Sequence, residues 1–253
     1  MHYALYHDDA DVISISETWL NATVSNGMLD PECLFNIFRL DRQALSGGGG
    51  VCVFIRKHIH AVAIAVPPHS PKFECVCVDL LCNSKTKFRY ISIYRPGGSS
   101  ISDGVAMSDL VDCLFELCLT DVTCVVVGDL NCGNIDWFND LVLHDSIQQR
   151  FFDAVCELGF QQYVLKPTRL ENILDIILCN DPLLVIDVIV DPPFSTSDHC
   201  LIRFTLNIAT SSEASNHVNL NTYDKGNRKL NNVHNCFLSR NWHKASWIDM
   251  TNF

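Results

Sequence analysis

Over the first 207 residues, short apolar runs rich in β-branched residues alternate with turn residues, at 12–16, 51–55, 60–66, 75–81, 88–94, 124–127, 173–178, 184–190 and 201–206. Runs of this length and composition predict strands. Some alternate apolar with polar positions, while others, such as Cys124, Val125, Val126 and Val127, are apolar throughout. That mixture predicts sheets covered on one face or on both. Two segments follow a helical period instead. Leu110, Val111, Cys113, Leu114, Leu117 and Cys118 form an i, i+3, i+4, i+7 stripe with Asp109, Asp112 and Glu116 opposite, and Ile147, Phe151, Ala154, Val155 and Leu158 form another. Ser146 suits the N-cap of the second helix and Gly159 its C′ stop. Nine strands mixed with at least two helices predict an α/β protein whose sheets pack inside helices. Past Asn207 the pattern fails. Residues 209–216 are polar and poor in hydrophobic side chains, so a boundary is expected near 208, with 208–253 docking elsewhere or staying flexible.

At 253 residues, 48% hydrophobic and 19% charged, the chain is long enough for a sizeable core. Its formal charge of −11 argues against a general polyanion binder, because non-specific affinity for nucleic acid rests on many Lys and Arg contacts to phosphate. Residues 1–207 hold 13 Lys and Arg against 26 Asp and Glu, whereas 208–253 hold 5 against 3, so the last segment is slightly basic. Thirteen cysteines form no Cys-x-x-Cys pair, and Cys52, Cys75, Cys77, Cys113, Cys118 and Cys124 lie inside apolar runs. They are expected to be small buried hydrophobes of a reducing compartment rather than a disulfide framework. With no leader-like start and no apolar stretch near ~18 residues, the expectation is an intracellular protein, cytoplasmic or nuclear, without a membrane partner.

Four polar clusters fall at predicted strand ends. Glu17, Thr18 and Trp19 follow the first strand; Tyr94 and Arg95 precede Pro96-Gly97-Gly98; Gly128-Asp129-Leu130-Asn131 follows the valine run; Ser197-Asp198-His199 precedes the last strand. Active sites of α/β proteins are commonly built at such sheet edges. Each cluster alone also suits a cap, a half-buried aromatic or an ordinary turn. Gly47 to Gly50 suits a tight entry into the next strand rather than a phosphate cradle, since no lysine and helix follow it. His58, His60 and His234 have no zinc-site spacing.

In this order the clusters resemble the endonuclease/exonuclease/phosphatase superfamily. More narrowly, Ile15-Ser16-Glu17-Thr18-Trp19-Leu20, Gly48-Gly49-Gly50-Val51, Ile93-Tyr94-Arg95-Pro96, Gly128-Asp129-Leu130-Asn131, Pro167-Thr168-Arg169, Leu174-Asp175-Ile176-Ile177 and Ser197-Asp198-His199-Cys200-Leu201-Ile202 resemble the endonuclease domain of non-LTR (LINE-type) retrotransposons. The likeness covers about residues 8–207, and the tail, with Tyr223-Asp224-Lys225 and Asn241-Trp242, is similar to the connector leading to a reverse transcriptase. It implies a four-layer αββα sandwich and a DNA-nicking phosphodiesterase dependent on Mg²⁺, with Mn²⁺ as a substitute. Phosphodiester hydrolysis needs a metal, a base for water and a donor for the transition state. By resemblance Glu17 is the metal ligand, with Asp198 completing the acidic metal pocket; Asp129 is the base; Asn131 positions water and phosphate. His199 donates to a phosphate oxygen with Asp175 setting its tautomer, and Tyr94 donates to the phosphate or leaving oxygen. Thr168 and Ser197 are further substrate contacts. Arg95 and Arg169 are expected either to touch DNA phosphates or to be solvated loop charges.

The family opens with a strand ending in an asparagine of the metal and water network, and in this sequence Met1 falls after that point. The expectation is therefore exposed ladder groups beside the strand that presents Glu17, one ligand fewer, and reduced or absent nicking. Two other functions stay open: a catalytically silent remnant or interaction module of the same fold, and a phosphoinositide or lipid phosphodiesterase.

Overall fold

The computed structural model describes residues 10–42, 48–68, 71–81, 87–98, 100–143, 146–208 and 232–239, the last for its backbone alone. The chain begins with β1 (Val12–Ser16), a single-turn helix α1 (Asn26–Leu29), β2 (Phe35–Leu40), β3 (Val51–Arg56), β4 (His60–Ile64), β5 (Glu74–Leu81) and β6 (Lys87–Tyr94). Helix α2 (Ile101–Cys118) and β7 (Thr123–Asp129) follow, then the short pair β8 (Ile135–Asp136) and β9 (Leu141–Val142). Helix α3 (Ser146–Glu157), β10 (Gln161–Gln162), β11 (Asp175–Cys179), β12 (Val185–Pro193), β13 (Cys200–Asn207) and β14 (Asn232–Ser239) complete it.

Two six-stranded sheets result, ordered β12-β13-β14-β1-β3-β2 and β10-β11-β7-β6-β5-β4. Their facing sides supply one core: Val12, Val51, Val53 and Ile202 from the first sheet meet Val78, Tyr90, Val127 and Ile177 from the second. Alternate residues of the same strands serve the outer faces, Ile13, Cys52 and Phe54 in one cluster and Cys75, Cys77, Cys124 and Val126 in another. Being covered on both faces is why these strands read as continuous apolar runs. Helices α2 and α3 lie on the outer face of the second sheet through Leu110, Leu114, Phe151 and Val155. On the outer face of the first sheet, the only described helix is α1, through Leu29. The layering is that of an α+β sandwich. The six cysteines singled out in the sequence are buried and free, as packing hydrophobes should be.

Local signals explain the helix ends. Ser100 caps α2 in a reciprocal box with Asp103, ten residues before the sequence stripe becomes visible. α3 stops at Gly159, whose φ of +68° suits glycine, with Phe160 N–H bonding Val155 O and Gly159 N–H bonding Cys156 O. Ser146 opens that helix, but its side chain, the expected N-cap, lies outside the described residues.

The segment beyond 208 departs from expectation. β14 sits inside the first sheet, parallel to β1 with Val12 opposite Asn235 and Ser16 opposite Ser239, and antiparallel to β13 with Leu201 opposite Leu238. The ladder groups of β1 that the sequence left without a neighbour are therefore paired by a strand from the tail. A polar stretch such as Asn232-Val233-His234-Asn235 has no strand pattern of its own, and pairing on both sides is what makes it one.

Candidate active site

The register of the second sheet lines up four polar residues at one edge. Glu74 lies opposite Tyr94, Tyr94 opposite Asp129, and Asp129 opposite Asp175, on adjacent strands β5, β6, β7 and β11. Paired residues project from the same face, and here it is the inner face shared with Val76, Val127 and Ile177. Four polar groups thus close the mouth of the sandwich where apolar residues fill its depth. The first sheet answers from across the cleft with Glu17, just after β1, and His199, just before β13.

Three polar ties join the sheets at this mouth. His199 Nδ1 lies 2.7 Å from Asp175 Oδ2, and its Nε2 lies 3.9 Å from Asp129 Oδ2. The Tyr94 hydroxyl donates to Glu17 Oε1. Arg42, two residues past β2, grips Glu74 with two donors, Nε to Oε1 and Nη2 to Oε2, the latter at 2.8 Å. Deeper in, Ser14 and Tyr90 hydroxyls meet at 3.1 Å.

Glycine permits the Glu17 corner. Thr18 and Trp19 donate backbone bonds to Gly50 O (3.2 Å) and Gly49 O (2.9 Å), and Gly48, Gly49 and Gly50 all have φ between +83° and +91°. A Cβ on Gly50 would lie 2.5 Å from Thr18 Oγ1, and one on Gly49 2.4 Å from Arg42 Nε. The run does give a tight entry into β3, and it also leaves room for two side chains of the site. Gly128 is constrained harder: a Cβ there would fall 1.8 Å from Ile93 O, a backbone atom of the neighbouring strand.

Asn131 (φ +51°) turns back on the motif. Its N–H donates to Asp129 Oδ1 at 3.1 Å and its Nδ2 to Arg95 O at 2.9 Å. Arg95 corrects both expectations held for it: at 2% exposed it is neither a solvated loop charge nor open to a phosphate, and it donates through Nε to Leu130 O (2.9 Å) and Nη2 to Asn131 O (3.3 Å). A buried guanidinium with backbone carbonyls as acceptors holds the Asp129 loop in shape. Thr168 is likewise buried, and its Oγ1 accepts from Leu174 N (3.0 Å) and Asp175 N (3.1 Å), so it fixes Asp175 rather than facing a substrate. Ser197 Oγ accepts from His199 N at 3.0 Å. Asp198 is turned outward onto Arg169, 2.5 Å away, and not into the buried cluster. Neither Arg42 nor Glu74 stands in a motif that would single it out in the sequence. Glu74 is the inward polar residue at the mouth end of β5, but only the register with Tyr94 reveals its company.

Electrostatics follow from burial. Burial, then the negative charge of Asp175, push the Asp129 carboxyl well above its ordinary range, although His199 and the Asn131 N–H pull the other way. Burial favours a neutral His199, yet its bond to Asp175 and the charges of Asp175, Asp129 and Asp198 lift the imidazole to about 9. Tyr94 is pushed up by burial and by Glu17, so its phenol stays a donor. Asp129, Asp175 and His199 place ligand atoms within 4.8 Å of one another, and Asp175 Oδ1 is buried without a partner. Crowded, partly unsatisfied carboxylate oxygens beside Glu17 fit a hard divalent cation, which would relieve their repulsion.

Two sheets face to face with an acidic, histidine-containing mouth define a protein of the endonuclease/exonuclease/phosphatase fold. Solved structures agree: the 3′-5′ exonuclease NExo from Neisseria meningitidis has a TM-score of 0.61 at 15% identity, over 79% of this chain and 90% of that one. The 3′ phosphatase NExo variant from Neisseria bound to product DNA hairpin scores 0.60 at 15% identity, over 79% and 90%. The endonuclease domain of TRAS1, a telomere-specific non-LTR retrotransposon, scores 0.58 at 15% identity, over 81% and 88%. Within that fold, residues 88–203 match the endonuclease-reverse transcriptase family. No curated protein is similar in sequence. Among the described residues no helix is long and apolar enough to cross a membrane.

Proposed function

We propose that this chain is a Mg²⁺-dependent DNA endonuclease of the non-LTR retrotransposon type, nicking one strand to leave a 3′-hydroxyl for primed reverse transcription. One observation carries the proposal: Tyr94, Asp129 and Asp175 stand in register at the mouth while the His199 ring, from the other sheet, lies 2.7 Å from Asp175. Glu17, Asp129 and Asp175 would hold the metal, with Asp198 as an outer member; Mn²⁺ would fit as well. Bound there, the metal supplies charge neutralisation on the phosphate. His199, its Nδ1 committed to Asp175, offers Nε2–H to a non-bridging oxygen. Asp129, whose carboxylate takes up a proton more readily than a free one, accepts it from the attacking water, and Asn131 fixes the Asp129 loop. Tyr94 stays protonated and donates to phosphate or leaving oxygen. Arg169, on the lip with Asp198, and Ser197 contact the DNA backbone.

Nicking of supercoiled plasmid in Mg²⁺, abolished by chelation and by Asp129→Ala, tests this. No nicking by folded protein in Mg²⁺ or Mn²⁺ would refute it. A second reading, a silent remnant of the fold, is favoured by Ser239 standing level with Ser16, where the family resemblance implies an asparagine. Turnover of a phosphoinositide but not DNA would instead indicate the lipid branch.

A further inference from the structure

We infer that Arg42 and Glu74 form a positioning pair that holds Tyr94 and Glu17 in working geometry; the inference rests on the proposed site. Glu74 is 3% exposed and begins β5, directly opposite Tyr94 in register. Its carboxylate belongs to the second sheet but takes its partner from the segment that follows β2 of the first: Nε and Nη2 of Arg42. Arg42 in turn lies with its guanidinium carbon 5.3 Å from the centroid of the Tyr94 ring. A bidentate fork on one side and an aromatic face on the other fix a planar guanidinium in a way a lysine cannot reproduce.

The consequence reaches Glu17 by two routes. Tyr94, pressed by Arg42, donates its hydroxyl to Glu17. The glycine run packs against Arg42, a Cβ on Gly49 falling 2.4 Å from its Nε, and Gly50 and Gly49 accept through their carbonyls from Thr18 N–H and Trp19 N–H, so the turn carrying Glu17 at φ +53° is docked on the same run. The pair is therefore the anchor of the Glu17 corner, as Thr168 is the anchor of Asp175. Arg42 also places one positive charge beside Glu74, which offsets the repulsion between Glu74 and Glu17 across the mouth. Its Nε and Nη2 are committed to Glu74, and the role inferred for it is to orient Tyr94 rather than to bind phosphate.

Nicking by the full chain, with Arg42→Gln, Arg42→Lys, Glu74→Gln and the double variant Arg42→Gln/Glu74→Gln, separates these roles. The expected result is a 10- to 100-fold fall in kcat for each single variant, KM for DNA within about twofold, no further loss in the double variant, and poor rescue by lysine. A raised KM with a salt dependence weakened by about one phosphate contact in Arg42→Gln would make Arg42 a DNA ligand and overturn the inference. A second readout needs no catalysis: ¹⁹F spectra of protein labelled with 3-fluorotyrosine, with residue 94 assigned through Tyr94→Phe. The residue-94 signal should shift and broaden in Glu74→Gln; an unchanged signal overturns the inference. If the wild type does not nick but this signal moves, the nuclease proposal has failed and the positioning pair stands.

Discussion

Replacing Asp175 with asparagine removes one charge and almost no volume from the centre of the site. Asp175 is fully buried, its backbone is held by Thr168 Oγ1, and its Oδ2 lies 2.7 Å from His199 Nδ1. Burial alone would keep His199 neutral, so the rise to about 9 is owed first to this bond and charge. A hydrogen bond to a charged group contributes about 1.5–3 kcal/mol, and ~1.4 kcal/mol is one power of ten in proton affinity. His199 in Asp175→Asn should therefore bind its proton ten to a hundred times more weakly and titrate near the ordinary range of a histidine. At pH 8 the wild-type ring is mostly charged and the variant ring is neutral in about half to nine-tenths of the molecules. Single-turnover nicking across pH 5.5–9.5 should show a deficit of about 2- to 10-fold at pH 8 that narrows towards pH 6. Stability carries the same signature: a histidine raised in the folded state contributes fully below about 6.5 and loses that contribution as pH rises through about 9. The gap in urea midpoint between wild type and variant should be widest near pH 6 and shrink above pH 9, with relief of Asp129–Asp175 repulsion offsetting part of it. A deficit in rate that is the same at every pH would refute the assignment of His199 as the charged donor.

Gly128→Ala should lower the unfolding free energy measured in urea by more than the ~1–3 kcal/mol usual for overpacking, because its Cβ would meet backbone at 1.8 Å; Gly159→Ala, with nothing within 4 Å and only a left-handed φ to bear, should cost about 1–2 kcal/mol. Asp79 is held below its ordinary value by Arg89 (2.8 Å) and Lys87 (2.6 Å) against the opposing effect of burial. Its stabilisation is present above the unfolded carboxylate value and lost as pH falls through the folded one, so the wild-type advantage over Asp79→Asn should fade between pH 6 and pH 2. Cys236→Pro and Phe237→Pro each remove one N–H from β14, on opposite sides; one should speed hydrogen exchange in β1 and the other in β13, and unchanged exchange in both would show that β14 is not paired there.

Strand positions were legible because burial on both faces writes itself into composition. The valine run of β7 and the alternation of β13 need no partner to be recognised. β2 escaped because Asn36 and Arg39 interrupt its apolar residues, and only pairing with β3 along its whole length reveals it. β14 escaped for the same reason, and the sequence boundary near 208 fell in front of a strand that belongs to the sheet. Glu17, Asp129, Asp175 and His199 were legible as residues at strand ends in a recognisable order. Arg95 and Thr168 were legible as positions but not as roles, since what a polar side chain does depends on which backbone atoms surround it.

The sequence by itself determined the local preferences: which runs become strands, where glycine alone is sterically possible, and which polar residues stand at strand ends. Those are matters of period, side-chain size and φ, all set within a few residues. The tertiary structure alone decided the register that puts Glu74, Tyr94, Asp129 and Asp175 in one row, the meeting of His199 with Asp175 across 24 positions, and the return of residues 232–239 to lie beside β1. Such contacts depend on how distant segments pair, and a one-residue slip in any of these strands would turn its member of the row to the opposite face.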